Sequence, residues 1–122
     1  TYSWALPMGD RRLSGVAAED IGAVAYRIFK AGSKYVGQRV GVASEHLTIE
    51  QMNAKLSKAL GIGPITYHAM SPDDYRALGF PAADEMGNML QVYRDFEREI
   101  VGARDAEQAR ALHPGLLTFD QF

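Results

Sequence analysis

A chain of 122 residues is long enough for one domain with a real core, and 47% hydrophobic with 23% charged residues is the balance of an ordinary globular protein. The net charge of −2, with acids and bases interleaved, argues against a dedicated nucleic-acid surface, because phosphate binding normally leaves a basic stripe. The absence of cysteine excludes disulfides and thiolate metal sites, and neither a membrane-length apolar run nor a signal-peptide pattern is visible, so the expectation is a cytoplasmic protein with no membrane partner.

Residues 2–6 read as a short strand ended by Pro7 and the Gly9-Asp10 turn, and residues 13–16 as a second, weaker one. Asp20 then introduces a helix whose Ile21, Val24, Ala25, Ile28 and Phe29 fall at i, i+3, i+4, i+7 and i+8, one apolar stripe ending near Gly32. Residues 39–43, RVGVA, are β-branched and bounded by glycine, which predicts a strand. Gly41 within them suggests a close neighbour. Thr48 and Gln51 have capping-box spacing and open a helix carrying Ile49, Met52, Leu56 and Leu60, with Gly61 as its stop. ITYHA at residues 65–69 alternates as a strand should.

The most structured signal follows. Ser71 can cap a helix, Pro72 suits its first position, and Asp73 and Asp74 place negative charge at the positive end of the dipole. Leu78-Gly79 stops that helix, and Phe80-Pro81 opens a longer one at an angle, with Met86, Met89, Leu90 and Tyr93 at helical spacing. The result is a fixed corner with Phe80 at its apex, the sort of element that walls a pocket. Beyond Phe96 the pattern softens to a short helix within residues 105–112 and a turn at His113-Pro114-Gly115.

Strands alternating with helices favour an α/β fold with some parallel pairing. About three short strands with four to five helices make a poor independent sheet and suit additions to a sheet whose main body lies elsewhere. Both ends look cut: TYSWALP reads as a strand already under way, and Thr118 with Gln121 announces a helix that the chain barely begins.

Few groups suggest chemistry. Tyr26 and Lys30 share the i, i+4 spacing of a phenol activated by an ammonium, but without a dinucleotide fingerprint upstream the plainer reading is a surface pair. Gly61-Ile62-Gly63 precedes a strand rather than a helix, the wrong context for a phosphate loop. His46, His68 and His113 lack ligand spacing, so no metal site is expected, and His68 reads as a half-buried or pocket-lining residue. Asp73-Asp74 and Asp84-Glu85 are explained by helix dipoles. Met86 and Met89 read first as core and second as an adaptable ligand wall. No catalytic and no cofactor-binding residue is assigned. The pocket candidates are Phe80, Met86, Met89 and Tyr93.

LGFPAADEMGNMLQVY, preceded by MSPDDY, resembles the C-terminal signature of NmrA-like proteins, an atypical branch of the short-chain dehydrogenase/reductase superfamily. The likeness extends to ALPMGDRRLSGVAAEDIGAVAYRIFK, KYVGQRVGVASEHLTIEQMNAKL and LHPGLLTFDQF, in the family's order. It implies that residues 1–122 are the C-terminal substrate or regulatory lobe of a Rossmann-type protein, with a dinucleotide-binding domain of about 150 residues upstream and the main parallel sheet in that domain. NADP(H) or NAD(H) would bind the parent and not this piece alone. The implied partners are the protein's own Rossmann domain and a regulatory protein or second copy, without direct nucleic-acid contact. The implied role is a redox sensor that passes dinucleotide state to a partner, or else a reductase of quinones or small carbonyls. Whether the parent is an enzyme stays open, and Tyr26 and Lys30 do not fall where the superfamily's active pair lies.

Overall fold

The computed structural model describes residues 1–122. Its elements are β1 (Tyr2–Leu6), β2 (Arg12–Gly15), α1 (Ala18–Lys30), a 3-10 turn (Gly32–Tyr35), β3 (Glu45–Thr48), α2 (Ile49–Leu60), β4 (Ile65–Ala69), α3 (Pro72–Ala77), α4 (Ala83–Asp95), α5 (Glu97–Gly102) and α6 (Ala106–Leu112). The fold is α/β, as the alternation predicts. β1 and β4 pair in parallel, Tyr2 opposite Ile65 through Leu6 opposite Ala69, and β2 pairs with β3 in a second two-stranded ribbon.

The local signals act as their chemistry requires. Thr48 and Gln51 make both bonds of a capping box: Gln51 N–H donates to the Thr48 hydroxyl (3.2 Å), and Thr48 N–H donates to Gln51 Oε1 (2.9 Å). Gly61 then ends α2 at φ +63°. The chain divides into two compact units, Thr1–Leu13 with Leu47–Arg98, and Ser14–His46 with Glu99–Phe122.

In the first unit Met8, Ile49, Tyr75 and Leu90 form the buried cluster, flanked by Leu6, Leu13, Met52, Tyr67, Met70 and Tyr93. These side chains come from β1, β2, α2, β4, α3, α4 and their connections, so the parallel ribbon and three helices share one apolar centre. Tyr67 is half-buried and donates its hydroxyl to the Leu6 carbonyl (3.1 Å). Burial raises the pKa of this phenol.

In the second unit the cluster is smaller: Val24, Ala109 and Leu116, with Val16, Ile28, Val42 and Leu112 around it. Two expectations change here. The stripe on α1 is covered along Val24, Ala25 and Ile28, while Ile21 and Phe29 stand in solvent, Phe29 at 82% exposure. Residues 39–43 are not a strand. Gly41 does have the close neighbour its presence suggests, since a Cβ there would collide with the Ala103 carbonyl. Ladder bonding starts only at Ser44, whose N–H donates to the Gly15 carbonyl (2.8 Å), so the strand falls at Glu45–Thr48.

Candidate functional site

The corner between α3 and α4 is built as its residues dictate. Ser71 accepts from Asp74 N–H (3.0 Å) and donates its hydroxyl to the Asp74 carboxylate (2.8 Å), and Pro72 occupies the first turn of α3. Gly79 turns the chain at φ +68°. The second helix starts later than expected, at Ala83, because Ala82 takes a left-handed conformation (φ +70°) that bends the chain once more. Ala83 N–H returns to the Phe80 carbonyl at 2.9 Å.

Two contacts fix the angle. The Phe80 ring meets Tyr75 edge to face, centroids 5.5 Å apart and planes at 86°. The Arg76 guanidinium donates to Asp73 (2.7 Å), Asn88 (3.0 Å) and Gln91 (2.9 Å), tying α3 to α4. Gly87 makes room for this tie, since a Cβ there would lie 2.6 Å from Arg76 Cγ.

A groove of about 490 Å³ opens at the apex, lined by Phe80 with Arg76, Asp84 and Glu85. It offers an aromatic wall, two carboxylates at a helix start and the edge of a guanidinium already engaged in bonding. Of the four sequence candidates the structure brings only Phe80 (36% exposed) to this groove. Met86 and Met89 are not core: they are 39% and 43% exposed on α4, on a stripe continued by Val92 and Phe96. Tyr93 is half-buried against the apolar cluster of the first unit. Arg76, Asp84 and Glu85 were not candidates. The signal for Arg76 was its i, i+3 spacing from Asp73.

Two other grooves lie in the first unit. One, of about 410 Å³, is apolar and runs past Tyr2, Trp4, Leu56 and Leu60. The other, of about 400 Å³, is charged and holds Arg11, Arg94 and Asp95, where the hydrogen bond from Arg94 keeps the Asp95 carboxyl below its ordinary range. His68 is exposed on β4 rather than half-buried.

In the second unit Lys30 Nζ packs over the Tyr26 ring, 5.7 Å from its centroid, a cation–π contact on an exposed tyrosine. His46 bridges two groups that no spacing had connected. Its Nε2 lies 2.8 Å from the Arg104 carbonyl, an acceptor only, so Nε2 carries the proton. The other ring nitrogen, Nδ1, pairs with the Ser14 hydroxyl, also at 2.8 Å.

None of the chain's strand–helix junctions is a glycine-rich turn. A phosphate cradle needs a glycine-rich turn from a strand into an open helix start. Here β3 runs directly into α2, whose first turn is closed by Thr48 and Gln51, and β4 enters α3 through Met70-Ser71, with Ser71 as cap. β2 reaches α1 through Val16-Ala17. No group of three or more His, Asp or Glu side chains gathers as a metal site would, and no helix is long and apolar enough to cross a membrane.

Similar folds occur in solved structures. A nucleoside-diphosphate-sugar epimerase from Staphylococcus aureus matches at TM-score 0.79 and 18% identity, over 98% of this chain and 42% of its own. NmrA, a negative transcriptional regulator solved in complex with NADP, matches at 0.74 and 24%, over 98% of this chain and 41% of its own. The NADPH-dependent quinone oxidoreductase QOR2 from Escherichia coli, complexed with NADPH, matches at 0.70 and 21%, over 97% and 42%. The chain thus spans about two fifths of the length of these structures. The family model of the NmrA-like family matches residues 1–122, all of the sequence, and the chain belongs to the NmrA-like family.

Proposed function

We propose that residues 1–122 are the smaller lobe of an NAD(P)(H)-binding regulator that reads dinucleotide state and passes it to a protein partner. The observation that carries this reading is the pairing of a family match along the whole chain with strand–helix junctions that lack a glycine-rich phosphate turn. Dinucleotide binding then belongs to the remaining length that the similar structures have. The lobe contributes a braced corner and, along α4 and its C-cap, an exposed stripe of Met86, Met89, Val92 and Phe96, an adaptable apolar surface of the kind partners use. The dinucleotide would act by favouring one arrangement of the protein, and the partner by binding that arrangement more tightly.

Calorimetry with NADPH tests the division of labour. The 122-residue chain should show no binding, and the same chain extended by the preceding residues of its gene should bind. Tight binding by the 122 residues alone would overturn the reading.

The Phe80 groove favours a second reading, an NAD(P)H-dependent reductase of quinones or small carbonyls with this lobe shaping the substrate pocket. That reading expects NADPH oxidation by the extended chain with a quinone panel, reduced by Phe80→Ala and, if the methionine face also touches substrate, by Met89→Ala. Binding of NADPH with no turnover of any acceptor would leave the regulator.

A further inference from the structure

Residues 21–44 hold four cations, Arg27, Lys30, Lys34 and Arg39, and no carboxylate. The net charge of −2 conceals this stretch, because the acids lie elsewhere along the chain. In the second unit the last turn of α1 and the 3-10 turn after it set these cations among apolar side chains left in solvent. Phe29 is 82% exposed, Val36 78% and Tyr26 58%. The turn is hydrogen-bonded: Val36 N–H donates to the Ser33 carbonyl (3.2 Å), Gln38 N–H to the Tyr35 carbonyl (3.0 Å) and Gln38 Nε2 to the Lys34 carbonyl (2.8 Å). Four residues of 3-10 helix span only about 8 Å, so Val36 stays near the end of α1.

The cations lean on rings rather than on carboxylates. Lys30 Nζ and the Arg27 guanidinium lie 5.7 Å and 6.0 Å from the centre of the Tyr26 ring, and Lys34 Nζ lies 5.4 Å from that of Tyr35. Their charge stays available to an outside anion. The helix dipole accounts for Arg27 and Lys30 in the last turn of α1. It does not account for Lys34 and Arg39, nor for the bare Phe29 and Val36 beside them.

Positive charge calls for an anionic partner, and the apolar tips choose among anionic partners. Val36 has no ring to stack on a base, which counts against nucleic acid. Side chains as exposed as Phe29 and Val36 stand out from the surface instead of lining a groove, which counts against a captured peptide. Protruding apolar tips with cations around them suit a bilayer: the tips enter the boundary between headgroups and acyl chains, and the cations meet anionic headgroups.

We propose that the end of α1 and the turn after it dock the protein on an anionic lipid surface, with Phe29 and Val36 as inserted tips and Arg27, Lys30, Lys34 and Arg39 as the charged rim. The expectation of no membrane partner came from the lack of a membrane-length apolar run, which bears on spanning and not on surface binding. The docking surface is independent of the regulatory reading.

Cosedimentation of the full gene product with vesicles, in the absence of nucleotide, tests it. Vesicles of equal parts phosphatidylcholine and phosphatidylserine should bind the protein at least about tenfold more tightly than phosphatidylcholine alone, and added salt should close the gap. Phe29→Ala should weaken binding about tenfold, and Lys30→Gln and Lys34→Gln about fivefold each. All three side chains are exposed, so the variants keep the fold, which circular dichroism checks. Lys58→Gln, at an exposed lysine of the first unit, should leave binding unchanged. Equal binding to the two kinds of vesicle, or Phe29→Ala sedimenting like the wild type, would overturn the proposal. So would a dimer in vesicle-free solution, or binding to a DNA oligonucleotide, that Phe29→Ala abolishes, since the patch would then belong to a second copy or to nucleic acid.

Discussion

In the first unit Met8, Ile49, Tyr75 and Leu90 meet around one centre with six further apolar side chains against them. The second unit gathers Val24, Ala109 and Leu116 with four further apolar side chains against them, a smaller cluster with less surface to bury. It is rich instead in polar ties across long stretches of sequence. Ser44 bonds the Gly15 carbonyl through both its N–H (2.8 Å) and its hydroxyl (3.1 Å), His46 links Ser14 to Arg104, and Asp20 and Glu45 hold residues 113–119. Apolar burial scales with area and tolerates small shifts, while each buried polar tie depends on the geometry of one donor and one acceptor. The two units should therefore fail in different ways.

Truncation in the cores gives the largest contrast. Leu90→Ala should cost about 2–5 kcal/mol, and Val24→Ala, which removes fewer carbons from a smaller cluster, about 2 kcal/mol or less. Urea unfolding of both variants checks this, and equal losses would break the comparison. Backbone crowding comes next. Gly41→Ala should cost about 1–3 kcal/mol, because the new Cβ meets the Ala103 carbonyl and not a flexible side-chain end. Gly22→Ala, on α1 with nothing near the new Cβ, should instead gain about 0.5–1 kcal/mol. Thermal melts of the pair should move in opposite directions.

A smaller effect lies at the corner. Ala82 holds φ +70°, a conformation costly for any residue with a Cβ, so Ala82→Gly should stabilise the first unit by about 0.5–1 kcal/mol. A lower melting temperature would mean that the Ala82 methyl packs more usefully than its exposure suggests.

The smallest effect is a pH dependence. Glu97 accepts a hydrogen bond from the Arg12 main-chain N–H and pairs with the Arg12 guanidinium (3.3 Å). The main-chain bond does most to hold its carboxyl below the usual glutamate range. A depressed carboxyl stabilises fully above its unfolded value, about 4.3, and loses that contribution as pH falls through the lower native value. The stability gap between the wild type and Glu97→Gln, measured in urea, should accordingly be open at pH 7 and narrow near pH 3.

Much of this was legible along the chain wherever a signal and its partner lie within a turn of each other. Thr48 with Gln51, Ser71 with Pro72, and the stops at Gly61 and Gly79 act as their local chemistry predicts. Periodicity placed α1 and α4 but not the part of each stripe that is covered. A helix marks an apolar face by spacing alone, whereas coverage depends on what packs there, so Ile21, Phe29, Met86 and Met89 carry the apolar spacing and yet lie exposed. Of the candidate groove only Phe80 was named in advance, because Asp84 and Glu85 are ordinary helix-start residues until the corner folds them beside it.

Short-range chemistry therefore wrote the caps, the stops, the corner and the family resemblance into the order of residues. Three-dimensional packing alone chose which carbonyl His46 would find, that Asp20 would meet His113 across 93 positions, and that the apolar side chains would collect around two centres. The reason is physical. A cap or turn is settled by neighbours whose separation the backbone restricts to a few ångströms, but a contact between distant residues exists only after the whole chain has found where its buried surface can close.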